Sequence, residues 1–324
     1  MRVISRQAVS TVKRIVAKVP SSRKVGLVGS TCLNKRRVSN FQVKAMSGAE
    51  DWVSQDKRRM LHAVYRVGDM DTYIKYMQDC FGMKLLRYRD IKEDKYTNAF
   101  LGYGSELTNF ALELTYNYGK EEYDIGSGFG HFGLAVNDVF KTADGVKAKG
   151  GVVSREPGPV KGGKTNIAFV KDPTGFSWEL IQRQGEITEP IAQVMLRVGD
   201  LDRSIKFYTD VLGMKLIRTR DNPEYKYTLA FLGYGDEENN TVFELTYNYG
   251  KDSSNYTKGD AYAQVAISTK DVYKTAEQIK ACGGTVTREP GPVPGIGTKI
   301  VACTDPDGWK VVFVDEKDFE AELE

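Results

Sequence analysis

The chain contains two histidines, and each opens a segment with the composition of a β-strand. His62 begins "HAVYRV" and His131 begins "HFGLAV". Two glutamates stand between apolar neighbours in other strand-like segments, Glu113 in "ALELTYNY" and Glu179 in "FSWELIQ". A carboxylate on an inward-facing strand position is costly to bury unless it is paired or bound to a metal. These four residues are therefore candidates for a metal site.

Imidazole and carboxylate ligands suit zinc, nickel or cobalt better than calcium or magnesium. We therefore expect one divalent metal ion (Ni, Co or Zn), held by His62, Glu113, His131 and Glu179 where the strands that carry them curl around a shared cavity. The alternative for a histidine at the start of a strand is a surface or hydrogen-bonded core position without a ligand role.

A long repeat indicates how such strands are organised. The octapeptide ELTYNYGK occupies residues 113–120 and recurs at 244–251, and REPGPV at 155–160 recurs at 288–293. A period of about 130 residues is too long for a solenoid, whose repeats span roughly 20–50 residues. The chain is therefore predicted to contain a duplicated domain, with copies at residues 58–184 and 189–318.

Each copy contains the same order of elements twice. "HAVYRV" is a predicted strand, and "GDMDTYIKYMQDCFG" has helical spacing, with Asp69 or Asp71 able to cap its start and Gly82 its end. Three strand-like runs follow, and a second strand begins the same order again at His131. We expect an α+β fold of four βαβββ modules, two in each copy, with curled mixed sheets.

The first 50 residues differ in composition from the rest. Eleven of the 46 Lys and Arg residues lie before position 49, whereas the first acidic residue is Glu50, so the remainder of the chain has a net negative charge. That balance argues against nucleic-acid binding by the folded part. Residues 1–50 resemble a disordered transit peptide, which predicts a plastid location. The alternatives are a mitochondrion, or the cytoplasm if the leader is not used. No apolar run is long enough to span a membrane.

The two histidines, the two glutamates, the "NYG" after each ELTY and the hairpins DPTG and DPDG resemble the lactoylglutathione lyases (glyoxalase I), of the fused two-domain kind found in plants. These belong to the vicinal-oxygen-chelate superfamily, and the resemblance covers residues 60–315. It implies a metal enzyme that isomerises the hemithioacetal of methylglyoxal and glutathione to S-lactoylglutathione. It also implies that Glu179 moves the proton as catalytic base, through an enediolate whose two oxygens the metal chelates.

The resemblance also implies residues that bind the substrate. Arg66 and Asn117 would contact the glutathione part, and Lys164 is a weaker candidate for its glycine carboxylate. A solvent-facing position at the strand end is the alternative for Arg66 and Asn117. A mobile glycine-rich cover is the alternative for the loop that carries Lys164.

The second copy departs from the ligand pattern. It has Gln193, Glu244, Gln264 and Val312 where the first has His62, Glu113, His131 and Glu179. Valine neither ligates nor accepts a proton, so one site is predicted to be competent and the other degenerate. The all-first-half set is the slightly favoured interpretation because it retains both imidazoles. A crossed pairing would instead unite Gln193, Glu244, His131 and Glu179, with Arg197 and Asn248 binding the substrate.

Two other functions fit the same scaffold. An extradiol dioxygenase would use two His and one carboxylate on iron, which the two carboxylates count against. A binding module without metal would fit the second copy better than the first. Because a duplicated chain supplies its own partner, we expect a monomer.

Overall fold

The computed structural model describes residues 52–324. The predicted leader, residues 1–50, therefore lies outside the described residues. A short helical segment at residues 52–56 precedes the first strand. Between residues 52 and 324, none of the helices has the length and hydrophobicity that a bilayer crossing requires.

The first half contains two βαβββ modules. The first module consists of β1 (Met60–Arg66), α1 (Met70–Phe81), β2 (Lys84–Ile91), β3 (Tyr96–Gly102) and β4 (Ala111–Asn117). The second consists of β5 (Phe129–Val136), α2 (Val139–Ala148), β6 (Val152–Pro159), β7 (Asn166–Lys171) and β8 (Ser177–Gln182).

The second half repeats this order. The third module consists of β9 (Ile191–Val198), α3 (Leu201–Lys206), β10 (Lys215–Asn222), β11 (Tyr227–Gly233) and β12 (Val242–Asn248). The fourth consists of β13 (Tyr262–Thr269), α4 (Val272–Ala281), β14 (Thr285–Pro292), β15 (Lys299–Thr304) and β16 (Lys310–Asp315). One more helix, α5 (Glu316–Ala321), follows β16. The predicted α+β fold of four modules is confirmed.

Local signals in the sequence set the bounds of α1. Asp69 is its N-cap, and its side chain accepts a hydrogen bond from the Thr72 backbone N–H, which satisfies a donor at the helix start. Gly82 ends the helix with φ of 71°, a left-handed conformation that glycine adopts without steric cost. Both ends therefore lie where the sequence predicts them.

The modules pair across the two halves. The described strands form two eight-stranded sheets. Sheet A has the order β14-β15-β16-β13-β1-β4-β3-β2, and sheet B has the order β10-β11-β12-β9-β5-β8-β7-β6. The joins are antiparallel, between β1 and β13 in sheet A and between β5 and β9 in sheet B. Each sheet thus combines one module from each half.

Alternation along the strands separates a packed face from a cavity face. In β5, Phe132 and Leu134 point into the main hydrophobic core, whereas His131 and Gly133 occupy the other face. Tyr65 of sheet A and Phe132 of sheet B lie with ring centroids 5.2 Å apart, so the core lies between the two sheets. The histidines and glutamates that stand between apolar residues in the strands therefore lie on the cavity faces.

Candidate functional site

Sheet B encloses a cavity of about 540 Å³ on its polar face. Four strands bring one polar side chain each to its floor: His131 from β5, Glu179 from β8, Gln193 from β9 and Glu244 from β12. Two of these strands come from each half of the chain. The crossed pairing of sheets therefore places a set of possible ligands at the junction between the halves.

Three of the four side chains meet at His131. Its Nε2 atom lies 3.2 Å from Oε2 of Glu179 and 3.6 Å from Oε2 of Glu244. One ligand atom from each of the three residues lies within 4.8 Å of the other two. Such spacing allows the three atoms to coordinate one ion.

Gln193 joins this group through a close backbone approach. Gly133 of β5 pairs with Glu179 on one side and with Gln193 on the other. A Cβ atom at Gly133 would lie 2.7 Å from Oε1 of Gln193, closer than side-chain carbons approach an oxygen. The absence of a side chain at residue 133 therefore makes room for the Gln193 amide.

Two of the side chains at this position have buried polar atoms without a hydrogen-bond partner. Both Nε2 of His131 and Oε1 of Gln193 are buried and make no hydrogen bond with the described residues. Nε2 of His131 lies close to both glutamates, but neither contact has the geometry of a hydrogen bond. Buried polar atoms are normally paired, so unpaired ones beside two carboxylates fit a site for a cation.

The electrostatics of His131 show how strongly this position attracts positive charge. Burial disfavours the imidazolium, but attraction by the nearby carboxylates of Glu179 and Glu244 outweighs burial and raises the pKa of His131 to about 9. The two carboxylates create a negative potential that a proton or a divalent cation would neutralise.

Sheet A holds the other predicted ligands. His62 Nε2 lies 3.0 Å from Oε2 of Glu113, and Nδ2 of Asn98 donates a 2.6 Å hydrogen bond to Oε1 of the same glutamate. Glu113 is therefore satisfied by protein groups. The face also contains Val312, which packs in a small apolar cluster with Phe319 of α5.

The favoured grouping of His62 and Glu113 with His131 and Glu179 does not form. The pairs lie in different sheets, because β1 and β4 join β13, whereas β5 and β8 join β9. Among the described residues, the group of His, Cys, Asp and Glu side chains that could hold a metal is His131, Glu179 and Glu244. Three residues of the crossed alternative therefore lie together, and the ligand set itself stays a prediction.

The predicted substrate-binding residues divide in the same way. Arg197 and Asn248 line the sheet B cavity. The Arg197 guanidinium donates to the carbonyls of Ser127 and Phe129, both at 2.8 Å, and burial lowers its pKa. Arg66 and Asn117 lie on sheet A, so they do not reach this cavity. Lys164 is exposed on the loop after β6 and is not among the residues that line the cavity.

Sequence reasoning missed most of the basic lining of this cavity. Five basic side chains line it: Arg155, Lys161, Arg197, Arg218 and Arg220. A signal was present in "KLIRTRD" of β10, where two arginines separated by one residue must face the same side of a strand. The rim of the cavity is thus suited to an anionic ligand.

The sequence matches a described protein family twice. The profile of the Glyoxalase/Bleomycin resistance protein/Dioxygenase superfamily matches residues 59–180 and again residues 190–313. Both matches together span well over half of the chain.

Proteins of known name resemble the chain over most of its length. It is 64% identical to the "Probable lactoylglutathione lyase, chloroplastic" of Arabidopsis thaliana, over 94% of this chain and 89% of that protein. It is 63% identical to a lactoylglutathione lyase of Oryza sativa subsp. japonica, over 85% of this chain and 95% of that protein. The crystal structure of glyoxalase I from Zea mays has a TM-score of 0.82 at 63% identity, covering 84% of this chain and 98% of that chain.

Proposed function

Because the chain belongs to the Glyoxalase/Bleomycin resistance protein/Dioxygenase superfamily, with two copies of its domain, we propose that it is a lactoylglutathione lyase. Its substrate is the hemithioacetal of methylglyoxal and glutathione, and its product is S-lactoylglutathione. The observation that carries this proposal is the convergence of His131, Glu179 and Glu244 in a basic-rimmed cavity.

One divalent metal ion, Ni, Co or Zn, would be held by Gln193, Glu244, His131 and Glu179. The unpaired buried atoms of His131 and Gln193 and the two carboxylates fit this role. When bound, the ion supplies positive charge that stabilises the two substrate oxygens as they become negative.

Glu179 is the proposed catalytic base. Its side chain lines the cavity and is 13% exposed, so the carboxylate can be reached by a bound substrate. It takes the proton from the substrate carbon that bears the hydroxyl group and returns it to the neighbouring carbon, acting first as base and then as acid. Phe169, whose ring centroid lies 5.5 Å from that of His131, helps to exclude water.

The basic rim binds the glutathione part. Arg197 supplies a half-buried guanidinium without a carboxylate partner among the described residues, which makes it available to an anionic ligand. Asn248 lies beside it in the cavity lining, where its amide donates to Tyr256 at 2.9 Å. Lys164 is five residues beyond the end of β6 and stays a weaker candidate for the glycine carboxylate.

The sheet A face is proposed to be degenerate. Val312 occupies the position of the base, and the carboxylate of Glu113 is already bound by His62 and Asn98. The working protein is a monomer, because both halves of the site belong to one chain. Residues 1–50 are proposed to direct it to the plastid, in agreement with the name of its relative from Arabidopsis thaliana.

The Glu179→Gln variant tests the proposal. It should lower isomerase turnover by roughly 100-fold or more while the metal stays bound, since an amide can ligate but cannot accept the proton. Thioester absorbance after mixing with methylglyoxal and glutathione measures turnover. Glu113→Gln, in the same sequence context on sheet A, is the matched control and should keep wild-type turnover. Normal turnover of Glu179→Gln would refute the role of this residue.

The dioxygenase alternative is not favoured. Its iron site needs two histidines and one carboxylate, whereas the cluster in sheet B has one histidine and two carboxylates.

A further inference from the structure

The two sheets have cavity faces at corresponding positions of the internal repeat. The face on sheet A is covered by another segment of the chain. Helix α5 and the residues after it lie over this face. Phe319 is 3% exposed and packs against Leu61 and Val312, with its ring centroid 6.2 Å from that of His62. The face that corresponds to the working cavity is therefore filled by residues 316–323.

A carboxylate from this segment is bound at a defined place. Oε2 of Glu322 accepts hydrogen bonds from Arg87 at 3.2 Å and from Arg89 at 2.9 Å. Oε1 of Glu322 accepts a hydrogen bond from the Thr298 hydroxyl. These interactions lower the pKa of Glu322 in spite of its burial, so the three donors form a site for an ionised carboxylate.

The working cavity contains the same three donors. By the internal repeat, Arg87 corresponds to Arg218, Arg89 to Arg220 and Thr298 to Thr165. All three counterparts line the sheet B cavity. The surroundings are also alike, because Arg87 and Arg218 both lie over a phenylalanine ring. Each also binds a glutamate of the loop between the last two strands of its module, Glu106 or Glu237.

No glutamate of the chain fills this position in the working cavity, as far as the described residues show. Arg220 instead donates from one terminal nitrogen to the carbonyl of Lys161 at 2.8 Å. Arg218 lines the cavity and bonds Glu237 through its Nε atom. Its terminal nitrogens donate to none of the described residues, whereas a terminal nitrogen of Arg87 donates to Glu322.

We propose that Arg218, Arg220 and Thr165 bind a carboxylate of the glutathione part of the substrate, in the way that Arg87, Arg89 and Thr298 bind Glu322. The identity of the ligand rests on the proposed function. Glutathione carries two carboxylates, on its glycine and on its γ-glutamyl residue, and the same chemistry would recognise either. The carboxylate of Glu322 on sheet A thus occupies the position that corresponds to the proposed position of the substrate carboxylate on sheet B.

Binding of S-methylglutathione tests this by calorimetry, because this thioether does not depend on turnover. Arg220→Gln should raise Kd by roughly 10-fold to 100-fold, the effect of losing a hydrogen bond between charged groups. Thr165→Val removes only the hydroxyl and should raise Kd less. Arg89→Gln is the matched control on sheet A and should leave Kd unchanged.

Two modified ligands separate binding from a structural role of Arg220. If the glycine carboxylate is bound, the glycine ethyl ester of S-methylglutathione should bind wild type and Arg220→Gln equally. If the γ-glutamyl carboxylate is bound, S-methylcysteinylglycine should show this equality instead. A loss by the same factor for all three ligands would mean that Arg220 only holds the loop at Lys161, and would overturn the proposal, as would no loss at all.

These binding measurements test the inference separately from the proposed catalytic function. Wild-type protein that binds S-methylglutathione in an Arg220-dependent way but does not isomerise the hemithioacetal would refute the proposed function alone. Wild-type turnover without Arg220-dependent binding would refute this inference alone.

Discussion

Asn98 donates a 2.6 Å hydrogen bond to Glu113 on sheet A, and the corresponding residue on sheet B is a leucine. Leu229 lines the sheet B cavity, and its apolar side chain cannot donate to Glu244. The same seven residues follow both glutamates in the sequence, yet Glu113 accepts a hydrogen bond from an amide, whereas no amide of the described residues donates to Glu244. Asn98 on the strand next to Glu113 therefore uses one oxygen of that carboxylate, whereas Leu229 leaves the Glu244 carboxylate able to bind a metal.

Exchanging this residue should therefore weaken the metal site. In Leu229→Asn the new amide can bond to Glu244 and compete with the ion, and we expect metal affinity to fall by roughly 10-fold to 100-fold. Competition with a chromogenic chelator measures it. The reverse exchange on sheet A, Asn98→Leu, should leave metal affinity and turnover unchanged. Equal affinity of Leu229→Asn and wild type would show that Glu244 is not a ligand.

The space beside Gln193 provides a second prediction. A methyl group at residue 133 would lie 2.7 Å from Oε1 and 2.8 Å from Cβ of Gln193, so Gly133→Ala should displace this side chain. We expect less bound metal and lower kcat, measured by elemental analysis and by thioester formation. Gly158→Ala is a suitable control, since a Cβ there meets no atom within 4 Å. Full metal content in Gly133→Ala would remove Gln193 from the ligand set.

Much of this fold follows from the sequence. The capping residue Asp69, the terminating Gly82 and the alternation around His131 each act within a few residues, so local reasoning finds them. The pairing of β5 with β9 could not be found in this way. Alternating apolar residues specify which face of a strand is buried, but they do not specify which of several similar strands lies beside it.

The same limit explains why the sequence pattern slightly favoured the all-first-half grouping. His62 and His131 occupy similar strands, and their chemistry favoured one site with both imidazoles. Asn98 and Leu229 determine whether the neighbouring glutamate is already hydrogen-bonded, and they lie on a different strand from that glutamate. Arg218 and Arg220 were detectable as a same-face pair, but their role depends on the cavity that crossed pairing creates.

The hairpin before β8 should make stability depend on pH. Burial raises the pKa of Asp172 to about 6, although Tyr73, Trp178 and the backbone N–H of Phe176 donate to it. Since the folded pKa lies above the unfolded value of about 3.9, its stabilising contribution is complete below pH 4 and is lost as pH rises through 6.

Asp172→Asn removes this titration. The difference in unfolding free energy between wild type and variant should change between pH 4 and pH 6, by at most about 1.4 kcal/mol per pH unit. Urea unfolding at a series of pH values measures it. The pKa of the exposed Asp69 is lowered by hydrogen bonds from Thr72, so Asp69→Asn should show no such slope between pH 5 and pH 7. A flat difference for Asp172→Asn would mean that Asp172 is ionised in the fold throughout.

The packing of α5 predicts an effect on stability alone. Phe319 is 3% exposed, so Phe319→Ala should destabilise the protein by about 3 kcal/mol, as buried aromatic truncations do. The urea midpoint measures this. Phe140 is 49% exposed, and Phe140→Ala should change stability by less than about 0.5 kcal/mol. Turnover at 25 °C should stay at the wild-type value in both, and a loss in Phe319→Ala would give the sheet A face a part in catalysis.

The content of bound metal in two variants tests the central claim, that one site is built from both halves of the chain. Elemental analysis of wild type should find one divalent ion per chain. His62→Ala should retain that ion, because His62 lies in sheet A, whereas Gln193→Ala should lose most of it. Loss of the ion from His62→Ala together with its retention in Gln193→Ala would contradict the account and return the site to the first half alone.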